Sequence, residues 1–201
     1  MRSDRALLRG LRLFLLSALL LAVAAGGASA TTSSSQRAKP PAGWVGEIKF
    51  DYTFVQDGVE STQASETASV TLRHIKKRSA QYYEVKVGKI TWQASGEDTS
   101  CSWSGSGFRA ATPNDAFLQL SPRAPWKAYW SSPDDLQIRV LRTCGGQTSE
   151  VDETILHPFF VLFRKVAGVP VAKNLKSIKG SSPRSSGGET WKYTWSFRAI
   201  R

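Results

Sequence analysis

Apolar and polar residues alternate strictly near both ends of the segment 44–201. In residues 44–55, WVGEIKFDYTFV, the even positions are mostly aromatic or aliphatic, and most of the odd ones are polar. Residues 191–199, WKYTWSFRA, repeat this pattern. A period of two places the apolar side chains on one face of a β-strand and the polar ones on the other. The pattern therefore predicts a long, half-buried strand at each end of the domain.

Shorter alternating runs predict further strands at 68–72, 83–87, 90–94 and 136–140. Gly88 separates two of these runs and predicts a β-bulge or bend. Turn-forming residues stand between the runs, at 56–58, 95–97, 131–135 and 144–146. We therefore expect an all-β, antiparallel domain of about eight strands, either a sandwich or a closed barrel.

Two segments are candidates for a helix. Residues 113–120, PNDAFLQL, begin with a possible cap but are short, and residues 157–168, HPFFVLFRKVAG, are too uniformly apolar for periodicity to decide.

The two aromatic strands also raise the question of a ligand cavity. Pairing of the first strand with the last would close a barrel, and a closed barrel of about eight strands holds one small ligand. Gly43-Trp44 in the first strand and Arg198 in the last resemble the lipocalins, which carry G-x-W and an arginine there. Here the spacer is missing, because Trp44 directly follows Gly43. The aromatic side chains that would fill a core or line a cavity are Trp44, Phe50, Phe54, Trp92, Trp191 and Trp195.

The first 30 residues indicate export. Four arginines and one aspartate precede an apolar run, which ends in the small residues Ala28-Ser29-Ala30. This order is typical of a secretory signal peptide, and we expect cleavage after Ala30. Residues 31–43 then form a flexible lead-in, and 44–201 a single domain. No later run is long and apolar enough for a transmembrane helix. The expected protein is secreted or periplasmic, and it does not span a membrane after cleavage.

The compartment decides the role of the two cysteines. Cys101 and Cys144 both lie in the exported part, where an even number of cysteines predicts a disulfide. A catalytic thiol would need an unpaired cysteine, and zinc would need further ligands beyond His74 and His157. We therefore predict one Cys101–Cys144 disulfide and no metal or other cofactor.

Residues 104–107, close to Cys101, are rich in serine and glycine and could suggest a hydrolase site. Ser104-Gly105-Ser106-Gly107 lacks the first glycine of a nucleophile elbow, and no helical pattern follows it. These residues predict the bend between two strands. A Ser106–His157–Asp152 triad remains the least favoured hypothesis, because triads assemble in space and not in sequence. The expected protein is not an enzyme.

Positive charge is the remaining feature of the sequence that indicates a function. The net charge is +11, and +8 remains after removal of residues 1–30. Two segments concentrate this charge, RHIKKR at 73–78 and a glycine- and serine-rich loop at 173–188. They predict contacts with a polyanion through Arg73, Lys76, Lys77, Arg78, Lys173, Lys176, Lys179 and Arg184.

The partner expected for these residues is an anionic envelope polymer or another exported protein. No nucleic-acid-binding signature occurs. The favoured hypothesis is thus an exported, non-catalytic binding domain of unknown ligand. A calycin-like barrel that carries a small apolar ligand is the alternative.

Overall fold

The protein is described from a computed structural model, in residues 39–56, 60–77, 80–163 and 167–201. The predicted signal peptide and most of the predicted lead-in lie outside these residues, as does the turn predicted at 56–58 apart from Gln56. The expected all-β antiparallel fold is confirmed, with eleven strands in the described residues instead of about eight. They are β1 (Gly43–Gln56), β2 (Glu60–Lys77), β3 (Ala80–Glu97), β4 (Cys101–Ala110), β5 (Phe117–Leu120), β6 (Lys127–Ser131), β7 (Asp135–Cys144), β8 (Gln147–Leu156), β9 (Val169–Pro170), β10 (Ser177–Ser186) and β11 (Glu189–Ile200), with one short helical turn, α1 (Phe160–Phe163).

All eleven strands belong to one sheet that divides into two branches. From one edge the order is β10-β11-β1-β2-β3. The second half of β3 pairs with β4, which continues to β7 and β8, whereas its first half pairs with β5, which continues to β6 and β9. A strand of 18 residues extends over about 60 Å, which is long enough for two successive neighbours on one side.

The predicted pairing of the first and last strands is confirmed, but it does not close a barrel. β1 and β11 are antiparallel neighbours from Gly43↔Ile200 to Phe54↔Glu189. β10 lies beyond β11 and forms an edge of the sheet, and β8 forms another. β9 contacts β10, and Ala172 N donates to Ser177 O at 2.9 Å, but the two strands share no ladder in the described residues. The closed form of the prediction is therefore wrong, and the sheet is open.

The core lies on the inner face of this sheet. Trp44, Ile48, Phe50 and Phe197 are completely buried there, as period-two alternation requires. Residues 157–162 cover the core from the other side, and Phe159 stacks on Trp130 with ring centroids 5.5 Å apart. Of the six aromatic residues singled out in the sequence, Trp44, Phe50, Trp191 and Trp195 are buried, whereas Phe54 and Trp92 are partly exposed.

The irregularity expected at Gly88 lies slightly earlier in β3. Thr71 pairs with Val87 and Leu72 with Val85, so Lys86 is the extra residue of a bulge. The bulge reverses which positions face inward. Val85 is therefore buried while Val87 is 60% exposed, although both belong to one alternating run.

Two glycine pairs form tight hairpin turns. Gly145-Gly146 joins β7 to β8, as predicted, and Gly187-Gly188 joins β10 to β11. All four glycines have positive φ, between +55° and +83°, which a two-residue turn of type I′ requires at both positions. The turn expected at 131–135 also lies between two strands, β6 and β7.

Other loop predictions are wrong, because cross-strand neighbours hold these residues extended. Residues 95–97 belong to β3, and 104–107 belong to β4. The loop expected at 173–188 is mostly β10, since only 171–176 connect it to β9. The helix considered at 113–120 is a turn followed by β5, and only Phe160–Phe163 of the second candidate is helical.

Cross-strand pairs of a glycine and an aromatic residue explain why glycines occur inside these strands. In each pair a Cβ on the glycine would lie less than 3 Å from the partner's ring, so the ring covers the glycine. Such coverage restores the packing that glycine lacks in a strand. The four pairs are Gly46↔Phe197, Trp92↔Gly107, Gly96↔Trp103 and Gly180↔Trp195.

The predicted disulfide is confirmed between Cys101 and Cys144. The two residues are direct partners in the β4–β7 ladder, with Cα atoms 4.4 Å apart. That distance suits a non-hydrogen-bonded cross-strand pair. The bond therefore joins strands that the ladder already aligns.

Gly180→Ala tests the packing of one glycine–aromatic pair. The new Cβ would lie 2.3 Å from Cζ2 of Trp195 and displace the ring, so we expect a loss of about 1–3 kcal/mol in the free energy of unfolding. Trp195→Ala should cost about 3–5 kcal/mol because it empties a core position. In that background Gly180→Ala should become neutral or stabilising. Urea unfolding of the two single variants and the double variant measures this coupling; strictly additive losses would contradict it.

Candidate functional site

The strand register brings several distant basic segments to one end of the sheet. β1 begins at Gly43, which pairs with Arg73 near the end of β2 and with Ile200 at the end of β11. β10 begins beside them, since Ser177 pairs with Arg198. The loop 121–126 lies at the same end. Leu120 pairs with Gln81 at the start of β3, and the loop leads into β6.

We call this region the basic end. It comprises residues 39–43, 73–77, 80–84, 120–128, 170–177 and 198–201, and Glu84 is its single acidic residue. Its cationic residues are Lys39, Arg73, Lys76, Lys77, Arg123, Lys127, Lys173, Lys176, Arg198 and Arg201.

One of these cations is neutralised within the protein. Arg73 Nη2 lies 2.6 Å from Glu84 Oε1, and its Nε donates to the same oxygen at 2.9 Å. Among the residues that the structure describes, the remaining cations with described side chains have no carboxylate within 4.0 Å. They are Lys39, Arg123, Lys127, Lys173, Lys176, Arg198 and Arg201, and all but the half-buried Lys127 are exposed. The basic end therefore carries uncompensated positive charge.

The structure gathers some of the predicted polyanion-binding residues and separates others. Lys173 and Lys176 lie at the basic end with Arg73, and the exposed Lys179 follows on the edge strand β10. Arg184 lies near the opposite end of β10, with its guanidinium 5.4 Å from the centre of the Trp191 ring. Lys76 and Lys77 end β2 with side chains outside the description, and Arg78 lies outside the described residues.

Five of the ten cations of the basic end were not among the residues predicted from the sequence to bind a polyanion. Lys39, Arg123, Lys127, Arg198 and Arg201 stand alone or in pairs, in segments far apart along the chain. No local charge run marks them. Only the pairing of strands reveals that they share one end.

A cleft of about 640 Å³ opens at the basic end. Its walls combine the segment that enters β1, the last residues of β11 and the turn before β10. The apolar part comprises Pro40, Pro41, Ala42, Leu175 and Ala199, while Lys39, Arg201, His74, Gln81 and Asn174 are the polar residues.

Hydrogen bonds hold the proline segment against the sheet. Ala42 N donates to Ile200 O at 2.8 Å, and His74 N donates to Ala42 O at 3.2 Å. The Tyr83 hydroxyl donates to Pro41 O at 3.0 Å. Burial raises the pKa of Tyr83 to about 12, so this hydroxyl keeps its proton at neutral pH. One wall of the cleft is therefore held in place by hydrogen bonds within the protein.

The opposite wall contains a strained residue. Leu175 has φ +55°, in the left-handed region that residues other than glycine rarely adopt. Its side chain is 3% exposed, and its N–H donates to Ala172 O at 2.8 Å. Burial of this side chain and the tight turn maintain the unfavourable backbone, which directs Leu175 into the cleft wall.

The structure does not assemble the Ser106–His157–Asp152 triad. Ser106 is exposed on the outer face of β4, and Asp152 lies beside Arg139 on the outer face of β8. His157 is completely buried, with Nε2 3.1 Å from Asp115 Oδ1 and Nδ1 3.3 Å from the Phe159 N–H. Both ring nitrogens are thus occupied by other groups, with Nδ1 accepting and Nε2 donating.

Asp115 joins two loops through a buried network. Its carboxylate pairs with Arg109 and His157, and it accepts from the Thr112 N–H and hydroxyl at 2.6 and 2.9 Å. Burial raises the pKa of Asp115, but the hydrogen bonds from Arg109, His157 and Thr112 outweigh it and hold that pKa well below the ordinary value. This network positions residues 157–162 over the core.

Glu66 is the second buried carboxyl group, and it lies on the inner face of β2. It pairs with Phe50 on one side and Trp92 on the other, and it is 2% exposed. Neither carboxyl oxygen has a hydrogen-bond partner among the described residues. Burial, followed by the negative charge of Asp51, raises the pKa of Glu66 well above its ordinary value.

Comparison with protein-family models, with curated protein sequences and with solved structures found no match to this chain. In the described part of the chain, no group of histidine, cysteine and acidic residues has the arrangement of a metal site. No described helix has the length and apolar character needed to cross a bilayer.

Glu66→Gln tests the buried carboxyl group. Because folding raises its pKa, the contribution of Glu66 to stability is greatest below the unfolded pKa of about 4.3 and is lost as pH rises toward the folded pKa. That loss should approach about 1.4 kcal/mol per pH unit. In urea unfolding between pH 4 and 9, the free energy of unfolding of Glu66→Gln should increase relative to that of the wild type as pH rises. Glu47→Gln, on the exposed face of β1, is the control, and its stability should depend on pH as that of the wild type does. The same pH dependence for Glu66→Gln and the wild type would contradict this account.

Proposed function

We propose that this protein is an exported, non-catalytic binding domain that engages an anionic partner through its basic end. The observation that carries the proposal is the group of cations there. Glu84 is the only acidic residue of the basic end, and Arg73 is the only ion-paired cation among those with described side chains. Clustered charges of one sign attract oppositely charged ligands and accelerate their association. The expected partner is a phosphate- or carboxylate-bearing envelope polymer, or an acidic surface of another exported protein.

The distribution of charge over the rest of the molecule favours binding of an anionic partner at the basic end. Acidic residues accumulate away from the basic end, at Glu97 and Asp98 near the start of β4 and along β8. Several of them are paired, such as Asp98 with Arg142 at 2.8 Å and Asp152 with Arg139 at 3.2 Å. An anionic polymer would therefore be attracted to one end and not to the whole surface.

The packing of the interior supports binding at the surface in preference to the calycin-like alternative. Trp44, Phe50, Trp191 and Trp195 belong to one continuous cluster of buried residues, which residues 157–162 cover. The proposed export is supported by the disulfide, which is compatible with an oxidising compartment.

The test uses inorganic polyphosphate as the probe. The wild type should bind fluorescently labelled polyphosphate, with an affinity that falls as salt is raised. Each charge pair in water contributes about 1 kcal/mol at 4 Å, so Lys173→Gln with Lys176→Gln removes about 2 kcal/mol and should weaken binding by roughly thirtyfold.

The matched control is Lys49→Gln with Lys192→Gln, which removes the same charge from exposed positions in the middle of β1 and β11. It should retain nearly wild-type affinity. Equal losses in the two double variants would indicate attraction by net charge alone, and absence of binding by the wild type would refute the proposal.

A further inference from the structure

The cleft at the basic end has an apolar surface that a polyanion does not require. Pro40, Pro41 and Ala42 form one side of it, and Leu175 and Ala199 contribute from the other. Lys39 and Arg201 are both exposed and supply positive charge to the same cleft. None of the described residues that line it is acidic. Apolar contact and positive charge are thus combined in one site.

The size of the cleft suits one small molecule. Its volume of about 640 Å³ lies within the range of about 300–1,000 Å³ that is typical of ligand pockets. A polymer chain spread over surface lysines would leave this volume unfilled. A short hydrocarbon chain would cover Pro40, Ala42 and Ala199, which are at least partly exposed, and remove their apolar surface from water.

One residue that lines the cleft contains a buried polar atom without a partner among the described residues. His74 lines the cleft, and its ring packs 5.2 Å from that of Tyr83. Its Nε2 is buried without a hydrogen-bond partner among the described residues. Buried polar atoms normally form hydrogen bonds, and a rotation of this ring that turns Nε2 toward the cleft would let it bond to an oxygen of a ligand head group.

The walls are organised in advance for such a ligand. Hydrogen bonds tie Pro41 and Ala42 to Tyr83, Ile200 and the β2 backbone, as described above. The strained backbone at Leu175 keeps its side chain on the opposite wall. A ligand that enters therefore loses little affinity to ordering of the protein.

We propose that this cleft binds single molecules of an anionic amphiphile, in which an alkyl or acyl chain carries a phosphate or carboxylate head. The chain lies against Pro40, Ala42 and Ala199, and the head group pairs with Lys39 and Arg201. This inference rests on the proposed function, because it assigns a ligand class to the same basic end.

The first experiment measures binding of butyl, hexyl and octyl phosphate, each below its micelle concentration, by calorimetry. Burial of one methylene group strengthens binding by about fourfold, so affinity should rise by up to roughly that factor per added methylene until the cleft is filled. Inorganic phosphate and octanol should each bind much more weakly than octyl phosphate, because each lacks one of the two required parts. Affinity that is independent of chain length would overturn the proposal.

The second experiment fills the cleft or removes its positive charge. Ala199→Phe should occupy the cleft and abolish the dependence on chain length, while polyphosphate binding through Lys173 and Lys176 persists. Ala110→Phe is the matched control, since Ala110 is exposed on β4 outside the cleft. If Ala199→Phe does not fold, Lys39→Gln with Arg201→Gln provides a second variant, because both side chains are exposed in the cleft; it should weaken the binding of octyl phosphate, and unchanged binding would overturn the proposal.

The outcomes separate this inference from the proposed function. If octyl phosphate does not bind, or binds Ala199→Phe as well as the wild type, the cleft proposal is wrong while lysine-dependent polyphosphate binding still supports the general function. If neither probe binds, both proposals are wrong. Binding to vesicles of anionic phospholipid without binding of monomeric octyl phosphate would indicate a membrane surface and would also overturn the cleft proposal.

Discussion

The pairing of β1 with β11 is the interaction on which the rest of the structure depends. This ladder extends from Gly43↔Ile200 to Phe54↔Glu189 and joins the start of the domain to its end. The inward-facing residues of the two strands, among them Trp44, Phe50 and Trp195, form much of the core. The same pairing places Lys39 and Arg201 beside one cleft. Loss of this pairing would therefore remove both the core and the candidate site.

Glycines inside the strands allow the sheet to pack large aromatic rings on a curved inner surface. Glycine alone weakens a strand, because it has no side chain to pack. Here the ring of Trp92 covers Gly107, and the ring of Trp195 covers Gly180. Small and large residues thus alternate across neighbouring strands. The arrangement also explains why the serine- and glycine-rich residues 104–107 are a strand and not a bend.

The two buried carboxyl groups have opposite effects on stability. Asp115 is surrounded by donors, which keep it ionised and tie the loop after β4 to residues 157–159. Glu66 has no such donors among the described residues, and burial favours its protonated form. Because the unfolded state prefers the charged form of Glu66 at neutral pH, this residue destabilises the fold there. Glu66 pairs with Phe50 and Trp92 on the neighbouring strands, so its carboxyl group lies in largely apolar surroundings.

The sequence by itself determined the class of fold, the disulfide and the principal strands. Period-two alternation, paired glycines such as Gly145-Gly146, and an even number of cysteines are local or compositional signals that need no knowledge of neighbours. Only the tertiary structure decided the division of the sheet at β3, the open edge at β10, and the partner of His157, which is Asp115 and not Asp152. The basic end belongs to this second group. Its cations come from segments far apart in the chain, and strand register, a non-local property, brings them together.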